Sequence, residues 1–203
     1  MKFPIMLIML TIVLFRFVFA AKPDNNAFKL VKHEDNIFLY ERWINTGKGE
    51  KVREIKAVFL VRAAKENIIR VLKDETRGKT WNVNARDYQV MLTADENRWV
   101  SYIRYDIPWP FDDQDCCLAF QLSGNEVFFE SISHRAFPEN GNMTRITGTR
   151  GKWVLEDMHS GNVKITYLVT TDRSKKIPRW VSDPIVHSNL VKTMVKFRHF
   201  AEQ

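Results

Sequence analysis

Five histidines, His33, His134, His159, His187 and His199, are the residues from which metal or acid–base chemistry would first be sought. None stands at a ligand spacing such as HExxH, there is no GxSxG nucleophile elbow, and Gly148-Thr149-Arg150-Gly151-Lys152-Trp153 is too short for a phosphate-binding loop. Each histidine therefore reads as a surface or hydrogen-bonded residue. Asp106, Asp112, Asp113 and Asp115 are close in sequence, but they lack the glycine and the ligand spacing of a calcium loop, and a solvated acidic turn is expected. Acid–base catalysis would need pairs such as Asp106 with Arg104, or Glu130 with Arg145, to converge in a cleft. The motifs supply no catalytic residue, no metal site and no cofactor site. Cys116 and Cys117 are adjacent; on a strand their side chains point to opposite faces, which excludes a bridge between distant parts of the chain and predicts two buried thiols.

The elements that would position any site follow from the apolar periodicity. Residues 36–43 and 52–62 read as strands around a polar turn at 45–49. In the second strand Ile55, Ala57, Phe59 and Val61 alternate with more polar positions, the pattern of a sheet buried on one face. Residues 64–76 have helical period, with Ile68, Ile69, Val71 and Leu72 on one side, and Arg77-Gly78 is expected to end that helix. Strands are predicted at 87–93, 98–107, 116–122, 126–134, 145–156 and 163–171, separated by turn-rich stretches. A terminal helix from about Asp183 would carry Val186, Leu190, Thr193, Met194, Phe197, Phe200 and Ala201 on one face and Lys192, Lys196 and His199 on the other. This order implies one α+β domain over residues 21–203, a curved antiparallel sheet packed against helices.

Residues 1–20 are read as a secretory signal peptide: Lys2, an apolar run from Phe3 to Phe15, and Val18-Phe19-Ala20 before the cleavage point. Arg16 interrupts the run too early for a membrane-spanning helix, and a periplasmic or secreted location is expected. Lys plus Arg number 31 against 24 Asp plus Glu, and seven basic residues against two acidic ones lie between Arg173 and Gln203. In an exported chain that basic end fits a transient contact with an anionic membrane surface better than nucleic acid.

At Tyr105-Asp106-Ile107-Pro108-Trp109-Pro110-Phe111-Asp112-Asp113-Gln114-Asp115 the chain resembles the START (steroidogenic acute regulatory-related lipid transfer) domains, whose corresponding loop reads P-W-P, three residues, R-D, then an apolar strand. Phe38-Leu39-Tyr40-Glu41-Arg42, Trp81, Gly151-Lys152-Trp153-Val154-Leu155 and Ile177-Pro178-Arg179-Trp180-Val181 resemble further landmarks of that family, so that the likeness extends from about Phe28 to Phe200.

The resemblance implies a helix-grip fold, a curved sheet wrapped around the C-terminal helix with an apolar tunnel between them. The P-W-P loop and the helix would act as its lid. It implies no enzymatic activity, no cofactor, and a lipid or sterol-like hydrophobic ligand touching Trp109, Phe111, Gln114, Leu118, Phe120, Phe129, Arg145, Ile165, Tyr167, Leu190, Met194 and Phe197. Arg179, Lys192 and Lys196 would face the membrane. Gln114 departs from the family's arginine, which favours an uncharged polar end to the tunnel unless Arg104 or Arg145 restores the charge. Two other classes remain in view: an enzyme on the same scaffold, such as a cyclase or hydrolase, and an interaction domain whose own side chains fill the cavity.

Overall fold

The computed structural model describes residues 27–45, 51–107, 112–139, 141–170 and 179–203, with only the backbone of 179–182. The expected signal peptide, the P-W-P loop with Trp109 and Phe111, and the side chain of Arg179 lie outside the described residues.

Three strands open the chain: β1 (Lys29–Glu34), β2 (Ile37–Asn45) and β3 (Lys51–Val61). β1 and β2 form a hairpin whose two turn residues, Asp35 and Asn36, take φ of 51° and 57°. Two successive left-handed residues match the strands' twist, and Asp and Asn tolerate that conformation at small cost.

Helices α1 (Lys65–Leu72) and α2 (Glu75–Trp81) follow. One helix was expected here, ending at Gly78. Instead the Asp74 side chain accepts a hydrogen bond from the Arg77 amide at 2.9 Å, an N-cap that starts a second helix, and Gly78 lies inside it.

The meander then runs β4 (Ala85–Leu92), β5 (Arg98–Tyr105), β6 (Gln114–Ser123), β7 (Glu126–Ser131), the short β8 (Thr144–Arg145), β9 (Arg150–Asp157) and β10 (Val163–Thr170), and α3 (Arg179–Ala201) closes the chain. The strand expected at 145–156 is two pieces, because β8 leaves the β9 ladder to pair in parallel with β6.

The ten strands form one unclosed curved sheet in the order β1-β2-β3-β10-β9-β7-β6-β5-β4, with β8 beside β6. Its concave face packs on α3, the helix-grip arrangement. The pleat sends alternate residues of every strand to that inner face. Ile55, Ala57, Phe59 and Val61 lie there, as the alternation predicts, along with Leu39, Ile103, Cys116, Leu118, Phe120, Phe129, Trp153 and Ile165. From α3, Val191, Met194, Phe197 and Ala201 enter the same core, whereas Val186, assigned to that stripe from sequence, is 37% exposed.

Two glycines permit close approaches. A Cβ on Gly78 would collide with the Tyr88 ring, and one on Gly151 would stand 2.6 Å from Phe129 Cζ and collide with the Leu168 carbonyl of β10. Glycine inside an exposed helix is ordinarily replaced by alanine with a gain of about 1 kcal/mol. At Gly78 the sign reverses. Gly78→Ala and Gly151→Ala should each lose about 1–3 kcal/mol, the usual cost of overpacking. Gly141→Ala, where a Cβ meets nothing within 4 Å, should leave the melting temperature unchanged. Thermal unfolding of the three variants checks this.

Candidate functional site

Every long inner strand runs from a closed end to an accessible one, and because neighbours are antiparallel these ends align along one border of the sheet. At the closed border the inner residues Ile37, Val61, Val163, Leu155, Val127, Phe120 and Trp99 are all buried. At the other border Trp43, Arg53, Tyr167, Val169, Ser131, Gln114 and Tyr105 retain accessible surface although they also face inward. α3 follows the same gradient: Asp183, His187 and Leu190 are half-buried at its first turns, Met194, Phe197 and Ala201 fully buried at its last.

Rings plug the closed half. Phe197 stands edge-on to Trp81 at 5.1 Å and 4.8 Å from Trp153; Trp153 lies 4.6 Å from Tyr167; and Phe129 lies 5.7 Å from Tyr167 and 5.6 Å from Phe120, which stacks on Trp99 at 5.0 Å. α1 and α2 cap this half. Tyr88 donates to the Leu72 carbonyl at 3.0 Å, and Thr193 of α3 accepts from the Val83 amide at 3.2 Å.

The accessible border carries polar groups of two kinds. On one flank Tyr105 and Gln114 face each other across β5 and β6, with Cys116 one pleat deeper. Burial pushes the Tyr105 and Tyr167 hydroxyls well up, and the Cys116 thiol up to about 12. A smaller part comes from mutual proximity, since Cys116 adds to the rise at both tyrosines. At neutral pH these groups keep their protons and act as hydrogen-bond donors.

On the other flank the first turns of α3 are tied to β2 and β3 by charge. Arg53 Nη1 lies 2.9 Å from Asp183 Oδ1 and 3.3 Å from Glu41 Oε2, and His187 Nε2 lies 3.4 Å from that same Glu41 oxygen.

Of the residues assigned to the tunnel from sequence, Leu118, Phe120, Phe129, Ile165, Met194 and Phe197 are inner-face core residues, and Gln114, Tyr167 and Leu190 lie toward the accessible border. Arg145 is a correction. It lies on the opposite, convex side, where its Nε and Nη2 donate to Asp115 Oδ1 at 2.7 Å and Oδ2 at 2.9 Å, and Nη2 also donates to the Phe137 carbonyl at 3.1 Å. The pleat is the reason: Asp115 is one residue from Gln114 and so on the other face. Arg104, cross-strand from Asp115, is outward for the same reason, and neither arginine restores charge to the inner border. The catalytic pairs considered from sequence are likewise not formed, as Asp106 lies 3.6 Å from Arg86 and Arg145 is held by Asp115.

Lys192 and Lys196 are exposed, as expected, although Lys196 reaches the Thr80 carbonyl at 3.4 Å. Sequence reasoning missed Tyr105 and the group Glu41, Arg53, Asp183 and His187. The signal for Arg53 was present: it continues the inward alternation of Ile55, Ala57 and Phe59.

No family model matches the chain. An uncharacterised protein of Pseudomonas aeruginosa is 22% identical over 179 residues, spanning 86% of this chain and 87% of that protein. Among solved structures, a STAR-related lipid transfer protein of Xanthomonas axonopodis aligns with a TM-score of 0.74 at 22% identity, over 89% of this chain and all of that one. Human STARD10 aligns at 0.69 and 18% identity, over 86% of this chain and 72% of its own. The fold is that of a START domain. The same architecture extends to an aromatase/cyclase, Zhui of Streptomyces sp. R1128, at a TM-score of 0.55 and 12% identity over 74% of this chain and 94% of that one. Within the START fold of this chain, the border left accessible beneath the first turns of α3 is the candidate site.

The convex ion pair gives a test of the local geometry. Burial alone would raise the Asp115 carboxyl, but the Arg145 guanidinium and the Tyr102 hydroxyl, 2.8 Å away, outweigh it and hold the group below the usual carboxylate range. A lowered folded-state value means that the contribution is complete above the unfolded-state pKa of about 3.9 and is lost as pH falls through the folded-state value. Arg145→Met, which leaves the 1% exposed Asp115 charge without its partner, should cost about 3–5 kcal/mol at pH 7. Its penalty should shrink below about pH 4, where Asp115 of the variant is protonated. Denaturant titrations at pH 7 and pH 3.5 check both the size and the pH dependence.

Proposed function

We propose that the protein is an exported, non-enzymatic carrier that holds a hydrophobic ligand between the inner sheet face and α3. The observation that carries this reading is the burial gradient: an apolar inner face, solid at one end, keeps accessible surface at the other, under the helix turns that would have to move. A lipid chain gains roughly 0.8 kcal/mol per buried methylene in such a space, close to what it gains in a bilayer, so exchange between the two is nearly balanced.

The inward tyrosines and Cys116 favour binding over catalysis. With their protons held by burial they offer hydrogen bonds but no base at neutral pH. The lipid-transfer names of the Xanthomonas and human neighbours agree with a carrier, and the aromatase/cyclase neighbour marks the competing enzyme class.

The exposed stripe of α3 fits contact with a membrane. Ile185, Lys192 and Lys196 share one face at spacings of seven and four residues, so a 55% exposed isoleucine is set beside two lysines. Near an anionic surface each lysine contributes about 1 kcal/mol, screened by salt.

Native mass spectrometry of the protein recovered from the exported fraction of its host tests the reading. The expected spectrum shows a polypeptide beginning at Ala21 with a bound lipid that is shed on activation. A protein retaining Met1–Ala20 would refute cleavage, and one free of ligand that also takes up none from mixed vesicles would refute the carrier.

A further inference from the structure

We infer that the convex face carries a second site, an open cleft between the outer face of β4 and β5 and residues 136–143, and that this cleft takes an amino acid in its zwitterionic form. The cleft has a volume of about 550 Å³ and lies on the side of the sheet away from α3, so the inference does not rest on the carrier reading.

Arg104 is the observation that leads to it. It stands in register with Asp87 on one side and Asp115 on the other, yet neither carboxylate holds it. Asp115 accepts from Arg145 at 2.7 and 2.9 Å and from the Tyr102 hydroxyl at 2.8 Å. Asp87 accepts from the Tyr88 amide at 3.0 Å and from Gln89 Nε2 at 2.7 Å. Arg104 lines the cleft, and its Nε is buried without a hydrogen-bond partner among the described residues. A buried donor left unpaired costs about 1–3 kcal/mol, and the acceptor that best matches a guanidinium is a planar carboxylate, whose two oxygens meet two parallel N–H groups.

Asp87 supplies the opposite pole. An ionised carboxylate offers about four acceptor positions, so its two hydrogen bonds leave room for an ammonium. Cross-strand neighbours on one face have Cβ atoms about 4.5–5.5 Å apart, a spacing that lets a carboxylate on Arg104 and an ammonium on Asp87 belong to one small molecule. Glu139, exposed, adds a second negative group to the cleft wall. A simple anion would bring no positive charge to offset these carboxylates, and a simple cation would leave Arg104 unpaired.

The rest of the wall is apolar. Tyr102 and Phe137, stacked at 4.7 Å with their planes 3° apart, line it with Pro138 and Met143. Arg145 fixes this wall by donating to the Phe137 and Pro138 carbonyls at 3.1 and 3.2 Å. An aliphatic or aromatic side chain of the amino acid would lie against it.

Amide-resolved NMR titration of the purified protein tests the site with three probes of one shape: L-phenylalanine, hydrocinnamate, which lacks the ammonium, and L-phenylalaninamide, which lacks the carboxylate. L-Phenylalanine should shift the amides of Gln89, Arg104 and Gly141 saturably. Each truncated probe should bind about tenfold or more weaker, as expected for the loss of a charge-assisted hydrogen bond. Arg104→Lys, which keeps the charge but loses the planar fork, and Asp87→Asn should each weaken L-phenylalanine by about tenfold, while Asp87→Asn leaves hydrocinnamate within about twofold.

No shift at those amides at millimolar L-phenylalanine, the result for a cleft that holds only water, overturns the inference. So does a truncated probe that binds as tightly as the amino acid, a pair of variants that bind it undiminished, or shifts confined to the inner face of the sheet. Each of these results leaves the carrier reading standing.

Discussion

The aromatic contact of Phe197 with Trp81 and Trp153 is the constraint on which the rest of the structure depends. It fixes the last turns of α3 to the sheet at the one place where α2, β9 and the terminal helix meet. Apolar contact of this kind is strong and undirected, so the helix end it holds stays put. The opposite end of α3 is held differently, by ion pairs of Arg53 and His187 with Glu41 and Asp183, whose side chains are largely buried. The helix is thus clamped by rings at one end and tied by ion pairs at the other.

Pleating separates two chemistries that are adjacent in sequence. Gln114 and Cys116 face the helix, while Asp115 and Cys117 face the convex side, where Asp115 is secured by Arg145 and Tyr102 and Cys117 lies in a small cluster with Val100 and Tyr102. The convex pair fastens the 132–145 segment to the sheet. Arg145 and Arg104 both lie outward, so neither brings its charge to the inner β5–β6 flank.

Much of this was legible in the sequence because alternation and helical spacing are themselves the fold. The β3 pattern, the buried positions Met194, Phe197 and Ala201, and the opposed cysteines follow from periods of 2 and 3.6. The division of α1 from α2 was not legible, because it turns on Asp74 capping Arg77 and on a Tyr88 ring that leaves room only for glycine at 78. Arg145 was misplaced because its face is set by the register of β8 on β6, a long-range pairing that no local pattern encodes. The Glu41–Arg53–Asp183–His187 group was missed for the same reason, since its contacts join residues 12 to 146 positions apart that only the grip topology brings together.

The central claim is that the ligand occupies the accessible half of the space between sheet and α3. Photocrosslinking with a lipid carrying a diazirine along its acyl chain, followed by peptide mapping, tests it most directly. The account predicts adducts on the inner residues Tyr167, Val169 and Leu190. Adducts confined to the convex face, at Phe38, Leu60 or Phe128, or spread without preference, would contradict it.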